Sequence, residues 1–148
     1  MSGMVVGYDR SACSLAALRW GLVEATEHGR AVRVISVLEP RRVPSMWTAS
    51  VELPVDEAEL GRVRAEAEDA VGKLAAEVGT TEPIEVSVKL GHAGPVLVEA
   101  AAGADCLVVG SHGYGTIERL LLGSVSHELL QTSPVPVLIV HLPGEAQA

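Results

Sequence analysis

Residues 106–130 read CLVVGSHGYGTIERLLLGSVSHELL, and this stretch decides the fold. Cys106-Leu107-Val108-Val109 is apolar throughout, as a strand covered on both faces should be. A glycine-rich stretch runs from Gly110 to Gly123, and Ser124 then starts a helix to about Thr132. A buried strand that opens through glycines into a helix is half of a β-α-β unit. Downstream, residues 135–140 (VPVLIV) form a last strand, with Pro136 suited to an edge or strand end. Upstream, Pro95 opens a helix through Ala102, stopped by Gly103. Before it, Ile84, Val86, Val88 and Leu90 alternate with Glu85, Ser87 and Lys89. Strict alternation leaves one face in water and predicts an edge strand.

Further upstream lies a long helix over residues 56–78. Leu60, Val63, Ala67, Val71, Leu74 and Val78 fall at helical steps. Its charged face places Glu59 near Arg62, Arg62 near Glu66 and Asp69 near Lys73, a solvated surface. Residues 38–55 carry Pro40, Pro44, Pro54 and an isolated Trp47, and read as a surface excursion with no assignable chemistry. Residues 32–37 (VRVISV) are a β-branched strand. Ser11 caps a first helix with Ala12, Leu15, Leu18, Leu22 and Ala25 on one face, ended by Gly29. Met4-Val5-Val6 is a short buried strand running into Gly7-Tyr8-Asp9.

The order is therefore β-α-β-α-β-α-β-α-β. Such alternation predicts the α/β class, with one open parallel sheet and helices on both faces. Right-handed crossovers give a doubly wound five-stranded sheet of order 3-2-1-4-5. Its topological switch falls between strands 1 and 4, and ligands bind beyond the carboxyl ends there. Those ends are Gly7-Tyr8-Asp9 and Gly110-Ser111-His112-Gly113. Fold reasoning and the glycine-rich loop select the same place.

Composition narrows the function. The 148 residues suit one domain. Hydrophobic residues make 48% and charged residues 20%, which excludes a disordered chain. Aromatics make only 3%, with no Phe, so the core must be Val, Leu, Ile and Ala. A net charge of −8 argues against nucleic acid and anionic membrane as partners. No apolar run approaches the ~18 residues of a membrane span, and the first residues lack a charged start and a cleavage site. The expectation is a cytoplasmic protein. Cys13 and Cys106 make no C-x-x-C pair or disulfide framework and read as free thiols, Cys13 as a small buried residue.

The loop has a chemistry of its own. Gly110, Gly113 and Gly115 follow a buried strand and leave the backbone open to close approach. Gly123-Ser124 stands where the next helix begins, where free N–H groups and the positive dipole end favour an anion. Ser124 and Ser126 add hydroxyls, so a polyphosphate from Gly113 to Ser124 meets many donors without a lysine. The alternative is a plain turn and a helix cap. Other sites are excluded. The only lysines, Lys73 and Lys89, make no G-x-x-x-x-G-K-[ST]. No G-x-G-x-x-G follows the first strand. The five histidines show no metal-ligand spacing, His127-Glu128 reads as an exposed helix pair, and G-x-S-x-G is absent.

Gly110-x2-Gly113-x9-Gly123-Ser124 resembles the nucleotide motif of the universal stress protein family, G-x2-G-x9-G-[ST]. Residues 5–11 (VVGYDRS) look like the family's opening strand with its Asp, and residues 133–140 (SPVPVLIV) like its last strand. The resemblance covers nearly the whole chain apart from residues 38–55. Arg10 departs from it, since the family often has Gly there. The resemblance implies an adenine nucleotide in the switch-point crevice, usually ATP, with Mg2+ accompanying the phosphates. It places Asp9 on the adenine or ribose side and the backbone of Val37 near the base. Gly110, His112 and Gly113 would follow the ribose and phosphates, and Gly123, Ser124, Val125 and Ser126 would receive the phosphates. Asp9 also suits a turn-capping role.

No general base is evident for attack on a γ-phosphate, so no catalytic residue is assigned and a nucleotide-binding stress or regulatory protein is expected. The alternatives are a slow ATPase or nucleotidyl-transfer enzyme using His112 and a metal ion, and a dimerising partner module with a structural nucleotide. Residues 135–140 form an apolar edge blunted only by Pro136. A two-fold homodimer pairing these strands antiparallel covers it. The alternative is that residues 142–148 fold back over it.

Overall fold

A computed structural model describes residues 3–113 and 122–142. Its elements in chain order are β1 (Gly3–Gly7), α1 (Ala12–His28), β2 (Ala31–Leu38), β3 (Arg42–Val43), β4 (Val51–Glu52), α2 (Glu57–Val78), β5 (Ile84–Leu90), α3 (Ala93–Ala101), β6 (Cys106–Gly110), α4 (Ser124–Thr132) and β7 (Val137–Val140). The five-stranded sheet has the order β5-β2-β1-β6-β7, all parallel. With the β3–β4 hairpin set aside, this is the expected 3-2-1-4-5, and the alternating strand β5 lies at an edge.

Side-chain alternation along the central strands feeds two cores. Met4, Val6, Val32, Val34 and Val108 meet Leu18, Leu22, Val71 and Leu74 of α1 and α2. Val5, Ile35, Leu107 and Val109 meet Leu97, Ala101 and Leu129 of α3 and α4 on the other face. Fully burying one such Leu or Val contributes about 1.5–3 kcal/mol. Ser11 caps α1 by accepting from Ser14 N, and Gly29 closes it in the left-handed conformation. Asp56 caps α2 through Ala58 N.

Four details depart from the sequence reading. The stripe of α1 that meets the sheet is Cys13, Ser14, Ala17, Leu18, Gly21, Leu22 and Ala25, while Ala12 is exposed and Leu15 is 41% exposed. Small residues carry the contact because α1 lies close against the strands: a Cβ on Gly21 would come within 2.9 Å of Val6 Cγ2. Residues 38–55 include the β3–β4 hairpin, with Arg42 bonded to Glu52 at 2.7 Å and Met46 and Trp47 exposed near its tip. Helix α3 begins at Ala93, two residues before Pro95. Strand β7 begins at Val137 because Pro136 has no N–H to donate, although its carbonyl still accepts from Leu107 N.

Candidate functional site

The chain leaves β1 toward α1 on one face and β6 toward α4 on the other. The two neighbouring strands therefore part at Gly7 and Gly110, and a cleft opens between their ends. Asp9, Val37, Gly110, His112, Gly113, Val125 and Ser126 line it, so most of the residues singled out in the sequence meet there. Gly123 is buried beside the loop, and Ser124 is exposed at the first helical position, outside the lining. Tyr114 to Leu121, with Gly115 among them, lie outside the described residues.

The turn after β1 is tightly bonded. Asp9 Oδ1 accepts from Ser11 N at 3.0 Å, and Asp9 N donates to Ser14 Oγ at 3.2 Å. Asp9 thus stands at the mouth of the cleft with one oxygen organising the helix start. Arg10 holds φ +72°, a left-handed conformation that favours glycine, and its guanidinium reaches Glu66 of α2 at 3.3 Å. The departure at Arg10 is therefore accommodated by strain in the turn. Burial, then the Glu66 carboxylate, push the neighbouring Tyr8 phenol above its ordinary value.

Gly110 serves packing. A Cβ there would sit 2.6 Å from Cys13 Cβ and 2.7 Å from the Cys13 carbonyl carbon, so α1 can approach β6 only over a glycine. The Gly110 carbonyl accepts from Ser126 Oγ at 2.7 Å, which tethers α4 to the strand end. The Ser126 hydroxyl, read as a ligand donor, is thereby committed to the fold. Ser111, which sequence reasoning passed over, is fully buried. Its Oγ lies 3.1 Å from His112 Nδ1 and 3.6 Å from Cys13 Sγ. Its carbonyl accepts from Gly123 N at 2.7 Å and its N–H donates to Val140 O at 2.9 Å. These bonds bring the start of α4 back beside the end of β6.

The N-cap of α4 is Gly123, with no side-chain capping bond, so Ser124 does not act as the cap. The first hydrogen bond of the helix runs from His127 N to the Gly123 carbonyl at 3.0 Å. The N–H groups of Ser124, Val125 and Ser126 precede it and have no intrahelical acceptor. Gly123 has φ −71° and ψ 167°, extended backbone open to any residue. A Cβ there would meet His112 Cα and Ser111 O at 3.4 Å and Gly113 N at 3.5 Å, ordinary contacts. Among the described residues nothing therefore requires glycine at 123, whereas a group lying between α4 and the 110–113 turn would.

The remaining wall was not singled out in the sequence. Ile35, Ala93 and Leu97 line it with Val37 and Val109, an apolar side opposite the polar loop. The periodicity of α3 was a signal for Leu97. Among the described residues no Lys or Arg lines the cleft, and the positive end of the α4 dipole faces it. Among the described residues no cluster of His, Cys, Asp or Glu could hold a metal ion, and no helix is long and apolar enough to cross a membrane.

The sequence profile of the universal stress protein family matches residues 2–141. Universal stress protein Rv2624c of Mycobacterium tuberculosis H37Rv is 35% identical over 140 residues, covering 95% of this chain and 48% of that protein. The chain thus spans about half the length of the curated relatives it matches. A universal stress protein solved in complex with cAMP is 30% identical, with a TM-score of 0.66, covering 95% of this chain and 96% of that one. The fold is shared with UspA from Lactobacillus plantarum, at a TM-score of 0.73 and 19% identity over 94% of this chain and 97% of that one. With the parallel sheet, the switch-point cleft and the glycine spacing in place, the chain belongs to the universal stress protein family.

Proposed function

We propose that this protein binds an adenine nucleotide, with ATP as the ligand, in the cleft between β1 and β6. The observation that carries the reading is the open first turn of α4 facing the 110–113 turn across Gly123, a position where none of the described residues requires a glycine. The cAMP complex of the 30% identical relative supports the same ligand class. The base would lie against Val37, Val109 and Leu97, with Asp9 on the ribose side. His112 and the backbone of Gly110 and Gly113 would follow the ribose and phosphates. The N–H groups of Ser124, Val125 and Ser126 and the Ser124 hydroxyl would take the phosphates, with Mg2+ carried on them. Ser126 would act through its N–H alone, since its hydroxyl holds Gly110. Among the described residues the cleft contains donors but no base aligned for hydrolysis, and the reading is binding in the service of regulation, in a cytoplasmic protein.

We further propose a homodimer through β7. The carbonyl of Pro136 accepts from Leu107 N of β6 and that of Val140 from Ser111 N just beyond it, so Val137 and Ile139 direct their N–H and C=O groups outward. The side chains of Val137 and Ile139 pack on the α3–α4 core, which makes backbone pairing the mode of contact. Residues 143–148, the alternative cover, lie outside the described residues. Isothermal titration with ATP tests the ligand: saturable one-site binding is expected, and no heat at millimolar nucleotide overturns the proposal.

A further inference from the structure

Among the described residues ten large apolar side chains are exposed, and five of them, Val43, Met46, Trp47, Val51 and Leu53, lie on the β3–β4 hairpin and the residue that closes it. Met46 and Trp47, at the turn, are 96% and 92% exposed. Leu53 N donates to Arg41 O at 2.8 Å, and Arg41 reaches Glu59 of α2 at 4.0 Å, so the hairpin is anchored at its base and bare at its tip. A two-stranded hairpin alone is at best marginally stable in water. Among the described residues β3 and β4 pair only with each other, so each keeps an open edge. From Val43 to Leu53 the single charge is Glu52, which Arg42 pairs at 2.7 Å. The whole chain carries −8. Two copies therefore repel through their acidic surfaces, and the hairpin is a face on which they meet without opposing like charges. An apolar, charge-balanced face is also its own complement, as a two-fold contact requires.

We propose that the β3–β4 hairpin is a self-association surface whose occupant is the same hairpin of a second copy, packed about a two-fold axis with Met46 and Trp47 at its centre. The open strand edges of the two hairpins add to one another, which turns a marginal element into a supported one. This contact is separate from β7. The hairpin follows β2, while β7 forms the far edge of the order β5-β2-β1-β6-β7, so one copy can make both contacts. Size sets the strength. A Trp side chain offers about 150–250 Å2, and two tips together stay below the roughly 1,200 Å2 of a stable complex. The association is therefore weak, forms at high protein concentration, and joins β7 dimers in pairs.

The test is sedimentation equilibrium from about ten micromolar to about one millimolar, the range of a weak contact. It compares wild type, Ile139→Pro and a double variant carrying Met46→Ser and Trp47→Ser. The average mass of wild type should rise toward twice its low-concentration value. Ile139→Pro should show the same doubling from its own starting mass, since β7 takes no part. The double variant should stay flat, with an unchanged melting curve, because both side chains are exposed in the folded chain. In Trp20→Phe protein Trp47 is the sole tryptophan, and its emission should move to shorter wavelength over the same range. No rise in mass, or no emission shift, up to about one millimolar overturns the proposal. A rise that persists in the double variant overturns it by placing the contact elsewhere. An emission shift on phosphatidylcholine vesicles without a rise in mass gives the tip to a lipid surface and likewise overturns it.

Discussion

Replacing Gly123 by Val separates a ligand requirement from a folding requirement. The backbone at 123 is extended, which a β-branched residue adopts readily, and the new Cβ would make contacts of 3.4–3.5 Å with Ser111, His112 and Gly113. Valine is a poorer N-cap than glycine by about 1 kcal/mol. Removing a glycine from the unfolded chain returns about 0.4–1 kcal/mol. The net change in stability is thus within about 1 kcal/mol, a melting shift of no more than about 4 °C for a chain of this size. Binding should respond far more. The valine methyls project between the α4 terminus and Gly113 N, into the space a phosphate needs. Losing one charge-assisted hydrogen bond there costs about 1.5–3 kcal/mol, ten- to a hundredfold in affinity. Calorimetric titration of ATP beside thermal circular dichroism reads both quantities. A folded Gly123→Val protein with wild-type affinity would refute the placement of the phosphates.

The contrasting substitution, Gly110→Ala, meets Cys13 backbone at 2.7 Å and should cost about 1–3 kcal/mol by overpacking, visible as a lower melting temperature without any ligand present. Both thiols should resist iodoacetamide at pH 8. Cys13 is buried, and burial followed by the Asp105 carboxylate pushes the Cys106 thiol above its ordinary value, so rapid modification of the native protein contradicts the packing described. Ile139→Pro removes an outward N–H from β7 and should shift a dimer to monomer in light scattering, with the fold checked by circular dichroism. A persistent dimer places the interface elsewhere. Steady-state ATP hydrolysis should fall well below the ~10 per second typical of enzymes, and turnover near that rate contradicts a binding role.

The parallel order and the switch point were legible because they depend on local patterns repeated along the sequence. Cys106 to Val109 is apolar on both faces, Ile84 to Leu90 alternates, and glycines follow the two strands that part. The lines of contact within one layer were less legible. Leu15 looks like core by helical spacing, yet α1 meets the sheet through Ala17 and Gly21, because the closeness of the layers is a tertiary property. The cleft residues Asp9, Val37, Gly110 and His112 could be placed by motif. Their individual bonds could not: Gly110 makes room for Cys13, the Ser126 hydroxyl turns back to Gly110, and Gly123 takes the cap position expected of Ser124. Ser111 and the Glu39 carboxylate that accepts from Ala93 N carried no local signal, since each joins elements distant in sequence.

The most direct measurement of the central claim is amide chemical-shift mapping of the 15N-labelled protein during titration with ATP. Shifts are expected at Asp9, Val37, Gly110, His112, Gly113 and the Gly123–Ser126 turn, saturating together with one dissociation constant. A second cavity, lined by Gly3, Ala31, Arg33 and Gly103, lies at the opposite end of the strands. Shifts confined to that end, or no saturable shifts at all, would contradict the account.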